Sequence, residues 1–249
     1  MVNEFIATYN YIHNIGNEFY FQTNYKAPLG KIIKLNIDKP EFENWVDIIP
    51  EHNKNVIQKA DASKYGTVIL VNYMENAAEK MKIFGFDGKH LHDVEMPGYG
   101  AVPMSSGTVF DNEWFFKFQT FTDPGSVYRL DMNTYDVSIL RRPKLDHLSL
   151  NISDFTTDQV WYESKDGTKV PMFLIRKKSV LPDIKKAPEN PIPTILYGYG
   201  GFGVPQTPHF SLMNLIFMNN VNGMYVVANI RGGGEFGEQW HKSAVQEKR

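Results

Sequence analysis

The chain has 249 residues, of which 42% are hydrophobic and 14% aromatic, enough for one large domain or two modest ones with a β-rich core. Its net charge is −2 and its basic residues are scattered, so the sequence predicts no nucleic acid and no membrane as partner. It contains no cysteine, no secretory signal pattern and no apolar run near the roughly 20 residues of a membrane span, which excludes disulfide and thiolate chemistry and predicts a cytoplasmic protein.

A repeat with a period of about 45 residues runs through the first part of the chain. The repeat is marked most clearly by Pro50, Pro97 and Pro143. Each proline ends the last of four short strand-like segments. Four strands at this period are typical of β-propeller blades, whereas strands of a sandwich follow one another every 8–12 residues or so. Residues 1–150 are therefore predicted to form about three four-stranded blades, with an irregular β-meander as the alternative.

The pattern changes in residues 151–249. Asp166-Gly167 separates two strand-like segments and predicts a hairpin, and a proline-rich connector follows. The remaining predicted elements are a strand, a helix capped by Ser211, a buried strand and a second helix: residues 194–197, 211–219, 224–230 and 239–248. Strands that alternate with helices favour a largely parallel sheet covered by helices.

Two glycine-rich loops could carry chemistry. Residues 197–203 (YGYGGFG) leave the carboxyl end of a predicted strand, where open α/β sheets bind ligands. A tyrosine hydroxyl there could donate to a developing oxyanion, although aromatic side chains that merely pack are an equal alternative. The other loop satisfies G-x-G-x-x-G through Gly232, Gly234 and Gly237, the fingerprint of a dinucleotide site. It follows a later strand than that fingerprint normally does, which argues against an NAD-dependent enzyme.

No complete catalytic triad or metal site is predicted. The 249 residues contain no G-x-S-x-G motif, and Ser105 and Ser106 lie within the repeat. No histidine pair has H-E-x-x-H spacing, so all seven are expected to be structural: His13, His52, His90, His92, His147, His209 and His241.

Three segments together resemble the prolyl oligopeptidases in wording, order and spacing: SKDGTKVPMF at 164–173, YGYGGFG at 197–203 and ANIRGGGEFGEQWHK at 228–242. The resemblance implies a β-propeller inserted into an α/β-hydrolase domain. On this basis residues 1–150 would be the C-terminal blades, and residues 151–249 the N-terminal part of an incomplete peptidase domain.

The resemblance also implies a site and an activity. Tyr199 would stabilise the oxyanion, Phe202 would line the substrate pocket, and no metal or organic cofactor would be needed. The serine nucleophile, histidine base and orienting aspartate would follow Arg249, so we expect this chain alone to be inactive. The full-length form would be a monomer that cleaves short proline-containing peptides. A non-catalytic propeller fragment that binds peptides or proteins, and a related oligopeptidase specific for basic residues, are the alternatives.

Overall fold

The computed structural model describes residues 6–144 and 150–245, whose strands form four sheets of four strands each. The first three sheets are antiparallel meanders in chain order, as in propeller blades. Blade 1 contains β1 (Tyr9–Ile15), β2 (Glu18–Thr23), β3 (Lys31–Asn36) and β4 (Val46–Ile49), with a short 3-10 helix at Phe42–Asn44. Blade 2 contains β5 (Val56–Ser63), β6 (Val68–Glu75), β7 (Ala78–Gly85) and β8 (His90–Asp93). Blade 3 contains β9 (Ala101–Ser106), β10 (Glu113–Gln119), β11 (Ser126–Asp131) and β12 (Val137–Arg141).

Alternation along the strands builds the core between neighbouring blades. In β10, Trp114, Phe116 and Phe118 are buried and the residues between them are only partly buried, the period of two that a strand imposes. These three rings pack with Leu70 and Ile83 of blade 2. The repeat predicted from the prolines therefore corresponds to three stacked blades, and the propeller prediction is supported for this part of the chain.

The fourth sheet differs from the blades in strand order. It contains β13 (Phe155–Glu163), β14 (Lys169–Lys177), β15 (Thr194–Gly198) and β16 (Met224–Ala228), after a 3-10 helix at Ile152–Asp154. The order across this sheet is β13-β14-β16-β15, and β15 pairs with β16 in parallel. We call it the mixed sheet.

Helices connect and follow the parallel strands. Helix α1 (Leu212–Val221) joins β15 to β16, and the Ser211 hydroxyl caps it by accepting from the backbone N–H of Asn214, as predicted. Helix α2 (Gly237–Lys242) follows β16. Neither helix in the described ranges has the length and apolar character needed to cross a bilayer.

Blade 3 and the mixed sheet share one hydrophobic cluster. Phe121, at the turn between β10 and β11, is only 3% exposed. Its ring centroid lies 5.4 Å from that of Phe173 in β14 and 6.5 Å from that of Tyr225 in β16. Blade 2 also contacts the mixed sheet: Gln159 Nε2 in β13 donates to the backbone oxygen of Asn76, at the β6–β7 turn, over 2.5 Å. The blades therefore support the mixed sheet directly.

Candidate functional site

Two glycine-rich loops lie side by side at one edge of the mixed sheet. Gly198 at the end of β15 pairs with Ala228 at the end of β16. Since the two strands are parallel, residues 197–203, here the tyrosine loop, and residues 230–237, here the glycine loop, leave the sheet at the same edge. The two candidate segments of the sequence are therefore one site.

Backbone contacts hold the two loops together. The N–H of Gly203 donates to the Gly232 oxygen over 3.0 Å. A Cβ atom at Gly200 would lie 2.2 Å from the Arg231 oxygen, and one at Gly232 would lie 2.1 Å from the Gly200 oxygen. Because both obstacles are backbone atoms, only glycine fits at these two positions.

These contacts give the G-x-G-x-x-G pattern a physical reason that involves no nucleotide. Gly232 and Gly234 both face the backbone of the tyrosine loop, and a Cβ at Gly234 would lie 2.4 Å from the Gly203 oxygen. The glycines serve close packing between loops, which is how we interpret the pattern.

Tyr199 lies at the surface of the tyrosine loop with 38% of its side chain exposed. Its phenol oxygen bends over Gly201, where an added Cβ would lie 2.9 Å from it. Within residues 6–144 and 150–245, the phenol has no hydrogen-bond partner. The O–H group is therefore free to donate to a ligand that approaches this edge of the sheet.

Phe202 sits at the tip of the same loop and is 90% exposed. Its φ of 55° lies in the left-handed region, which costs energy for a bulky side chain. The structure thus places both predicted site residues on one loop, Tyr199 half exposed and Phe202 projecting into solvent. Their roles stay predictions.

Arg231 links the glycine loop to the hairpin between β13 and β14. Its guanidinium donates to the Asp166 carboxylate, and also to Thr168 Oγ1 and Ser164 Oγ, each over 3.3 Å. The predicted Asp166-Gly167 hairpin is confirmed, with Gly167 at φ 80°. Hydrogen bonds from the backbone N–H of Thr168 and from Arg231 lower the pKa of Asp166 to about 2. The hairpin therefore carries a negative charge directed at the glycine loop.

The charge on Asp166 makes the stability of this corner depend on pH. The pKa of Asp166 falls from its ordinary 3.8 to about 2 on folding, so its contribution is present above pH 3.8 and is lost as the pH falls toward 2. We expect Asp166→Asn to unfold at lower urea concentration than wild type at pH 6, and the gap to shrink as pH falls through that window. Urea midpoints for both proteins check this, and a gap independent of pH would contradict it.

A buried carboxyl that the sequence did not single out lies beneath the two loops. Glu235 is 0% exposed, and its Oε1 accepts from the Gln206 N–H over 2.9 Å and from Asn229 Nδ2 over 3.2 Å. Asn229 Nδ2 also donates to the Gln206 oxygen over 2.7 Å. Burial raises the pKa of Glu235, and these hydrogen bonds oppose the shift in part. One signal was available: an acidic residue in a glycine run that follows a buried strand.

The other sequence candidates take structural positions. Ser105 and Ser106 end strand β9. His52 accepts at Nδ1 from the N–H groups of Lys54 and Asn55, and His241 donates from Nδ1 to the Gly232 oxygen over 2.8 Å. His147 lies outside the described residues. In the described part of the chain no three His, Asp or Glu side chains are grouped to hold a metal ion.

Comparison with known proteins gives one consistent result. The family model of the prolyl oligopeptidase N-terminal β-propeller domain matches residues 1–143. Prolyl endopeptidase of Dictyostelium discoideum is 33% identical over 100% of this chain and 33% of its own length. The dual function macrocyclase-peptidase POPB of Galerina marginata is 36% identical over 99% of this chain and 33% of its own.

Solved structures agree with this. Prolyl oligopeptidase B of Galerina marginata, bound to a 35mer hydrolysis and macrocyclization substrate, superposes with a TM-score of 0.87 at 35% identity, over 99% of this chain and 34% of that one. Its apo form gives a TM-score of 0.85. The chain spans about a third of the length of these relatives, and it belongs to the prolyl oligopeptidase family.

Proposed function

We propose that this chain is part of a serine-type oligopeptidase that cleaves short peptides after proline through an acyl-enzyme intermediate. Relatives named prolyl endopeptidase match it over nearly its whole length, and a relative has been solved with a peptide substrate bound. The observation that carries the proposal is the free phenol of Tyr199 at the edge where two parallel strands end.

The proposed fold assigns residues 151–249 to the start of an α/β-hydrolase domain and residues 1–150 to the C-terminal blades of a propeller. In support, α1 joins two parallel strands of the mixed sheet, the unit from which α/β sheets are built. Open α/β sheets bind their ligands beyond the carboxyl ends of the strands, which is where the tyrosine loop lies.

In the proposed reaction, Tyr199 acts when the serine oxygen attacks the carbonyl carbon of the substrate proline itself, on whose C-terminal side the peptide bond is cleaved. The carbonyl oxygen gains negative charge, and the neutral phenol donates a hydrogen bond to it. The exposed ring of Phe202 would cover the apolar proline side of the substrate. The reaction needs no metal or organic cofactor, and the nucleophile, base and orienting acid would come from sequence outside the 249 residues.

A pair of proteins tests this proposal: residues 1–249, and a form extended to the length of the relatives. We expect the extended form to cleave a fluorogenic Gly-Pro peptide and residues 1–249 to cleave none. Cleavage of a Gly-Arg peptide in preference would favour an oligopeptidase specific for basic residues. Turnover by residues 1–249 would contradict the assignment of the nucleophile. A monomeric extended form and a cytoplasmic location stay predictions.

Replacement of Gly201 should displace the phenol without unfolding the loop. The Cβ of Gly201→Ala would lie 2.9 Å from the Tyr199 phenol oxygen, which is the movable end of a side chain. We expect kcat of the extended form to fall by up to roughly 10²-fold, the cost of misplacing a catalytic group by about 1 Å. Steady-state kinetics and a melting curve measure the two effects separately.

The matched control is Gly198→Ala on the same loop. Its Cβ would lie 3.7 Å from the Ala228 oxygen, an ordinary contact, so neither kcat nor Tm should change appreciably. An equal loss of kcat in both variants would show that the loss in Gly201→Ala does not come from displacement of the Tyr199 phenol.

A second candidate function, a non-catalytic binding module, is favoured by the open face of blade 1. An apolar groove of about 400 Å³ on this face is lined by aromatic and aliphatic side chains: Tyr9, Phe19, Phe21, Leu35, Ile37, Pro40 and Trp45. If this face binds a partner protein, residues 1–144 should retain that partner without the mixed sheet. A partner protein that binds residues 1–249 but does not bind residues 1–144 would favour the peptidase proposal.

A further inference from the structure

The glycine loop has no part in the proposed reaction, yet it contains the most deeply buried acid of the site. Glu235 follows three consecutive glycines and its side chain points back under the tyrosine loop. Gly233 makes room for it, because a Cβ there would lie 2.1 Å from Glu235 Oε2. The loop is therefore shaped around this carboxyl group.

One oxygen atom of this carboxyl and one of the neighbouring amide lack a hydrogen-bond partner. Glu235 Oε2 and Asn229 Oδ1 are both buried and accept no hydrogen bond from any described residue. They belong to two groups already joined by the bond from Asn229 Nδ2 to Glu235 Oε1. An ionised carboxylate and an amide oxygen are both acceptors only, so neither can satisfy the other.

One proton on Oε2 would let these two oxygen atoms pair with each other. A carboxylic acid would donate from Oε2 to Asn229 Oδ1 while it accepts from Asn229 Nδ2, so that the acid and the amide pair in both directions. Burial also raises the pKa of this carboxyl, in the direction that favours the neutral acid.

No cation in residues 6–144 and 150–245 forms an ion pair that would favour the ionised form of this carboxyl. The guanidinium of Arg231 is engaged by Asp166, and His241 donates to the Gly232 oxygen. Among the described residues no cation forms an ion pair with Glu235, whose partners are the Gln206 N–H, its own backbone N–H and the Asn229 amide. An ionised Glu235 would be a buried charge without a counter-charge.

The neutral acid lies where it can fix the tyrosine loop. Glu235 Oε1 accepts from the N–H of Gln206, and the Gly232 oxygen accepts from the N–H of Gly203. Residues 203–206 are therefore attached to the glycine loop at both ends. The first half of the tyrosine loop is attached to β16 through the pair of Gly198 with Ala228. Tyr199 lies between these attachments.

We propose that Glu235 is a positioning residue that, as a neutral acid paired with Asn229, fixes the tyrosine loop and hence the phenol of Tyr199. The link to catalysis rests on the proposed function, whereas the paired acid and its hold on Gln206 do not.

The test compares Glu235→Gln with Glu235→Ala in residues 1–249. Glutamine reproduces the acid, since its oxygen accepts from Gln206 and its NH₂ group donates to Asn229 Oδ1. We expect amide hydrogen exchange at Gln206 to stay slow in Glu235→Gln and to become about tenfold faster or more in Glu235→Ala. Equal acceleration in both variants would overturn the proposal, because it would mean that the ionised form does the holding.

A direct titration keeps the proposal falsifiable if Glu235→Ala does not fold. In wild-type residues 1–249, the ¹³C signal of the Glu235 carboxyl should titrate above the ordinary pKa of 4.5. The contribution of Glu235 to stability should then be complete below pH 4.5 and be lost as the pH rises through the raised pKa of this group. A carboxyl signal that titrates at or below 4.5 would overturn the neutral acid.

Kinetics of the extended form separate this inference from the proposed function. Glu235→Ala should lower kcat more than it changes KM, and Glu235→Gln should restore most of that loss. If Tyr199→Phe has no effect on kcat, the proposed function fails while the exchange and titration results stand. If Tyr199→Phe lowers kcat but Gln206 exchanges at the wild-type rate in Glu235→Ala, only the inference fails.

Discussion

Tyr199→Phe, in a form extended to the length of the relatives, should lower kcat by roughly 10² to 10³ with little change in KM. The substitution removes one oxygen atom from a side chain that is 38% exposed, so it leaves no cavity and should not alter Tm. The phenol has no other partner in the part of the chain that the structure describes, so its removal breaks no internal hydrogen bond. The loss would therefore come from the transition state alone.

Tyr197→Phe is the matched control. Tyr197 lies two residues earlier, in β15, and is 40% exposed, so its replacement makes the same chemical change at a similar surface position. We expect kcat to be nearly unchanged. If Tyr199→Phe has wild-type kcat, or if both variants lose the same factor, the oxyanion role of Tyr199 is wrong.

Local sequence patterns predicted much of the fold. The proline-marked repeat gave three four-stranded units because each blade is a meander of neighbouring segments, whose pairing partners are close in sequence. Asp166-Gly167 and Ser211 were found for the same reason, since a hairpin turn and a helix cap are formed by adjacent residues.

Long-range contacts could not be predicted in this way. Arg231 meets Asp166 although 65 positions separate them, and the contact of Gly203 with Gly232 requires β15 and β16 to be neighbours. Glu235 was missed because its burial depends on that arrangement. The second helix was predicted over 239–248, of which 246–248 lie outside the described residues. Helix α2 ends at Lys242, where the Ser243 hydroxyl donates to the Trp240 oxygen and a turn follows.

Phe121→Ala should destabilise the chain by about 3–5 kcal/mol, the usual cost of truncating a buried phenylalanine. Phe121 belongs to blade 3, yet its ring packs against Phe173 and Tyr225 of the mixed sheet, so its truncation removes contacts between the two. The free energy of unfolding from urea denaturation, followed by circular dichroism, measures the loss. The control is Phe110→Ala, because Phe110 is in a loop of the same blade and is 71% exposed. Its replacement should change stability by about 0.5 kcal/mol or less.

The shape of the unfolding transition tests what Phe121 connects. Because its ring is part of a cluster shared by the blades and the mixed sheet, we expect wild type to unfold in one transition. With Phe121→Ala, the mixed sheet loses the ring contacts that Phe121 makes with Phe173 and Tyr225. It should then unfold at lower urea than the blades, seen as faster hydrogen exchange in β14 and β16 than in β10. Equal acceleration of exchange in all three strands would mean that Phe121 stabilises the whole chain as one unit. An unchanged urea midpoint of Phe121→Ala would mean that other contacts hold the blades and the mixed sheet together.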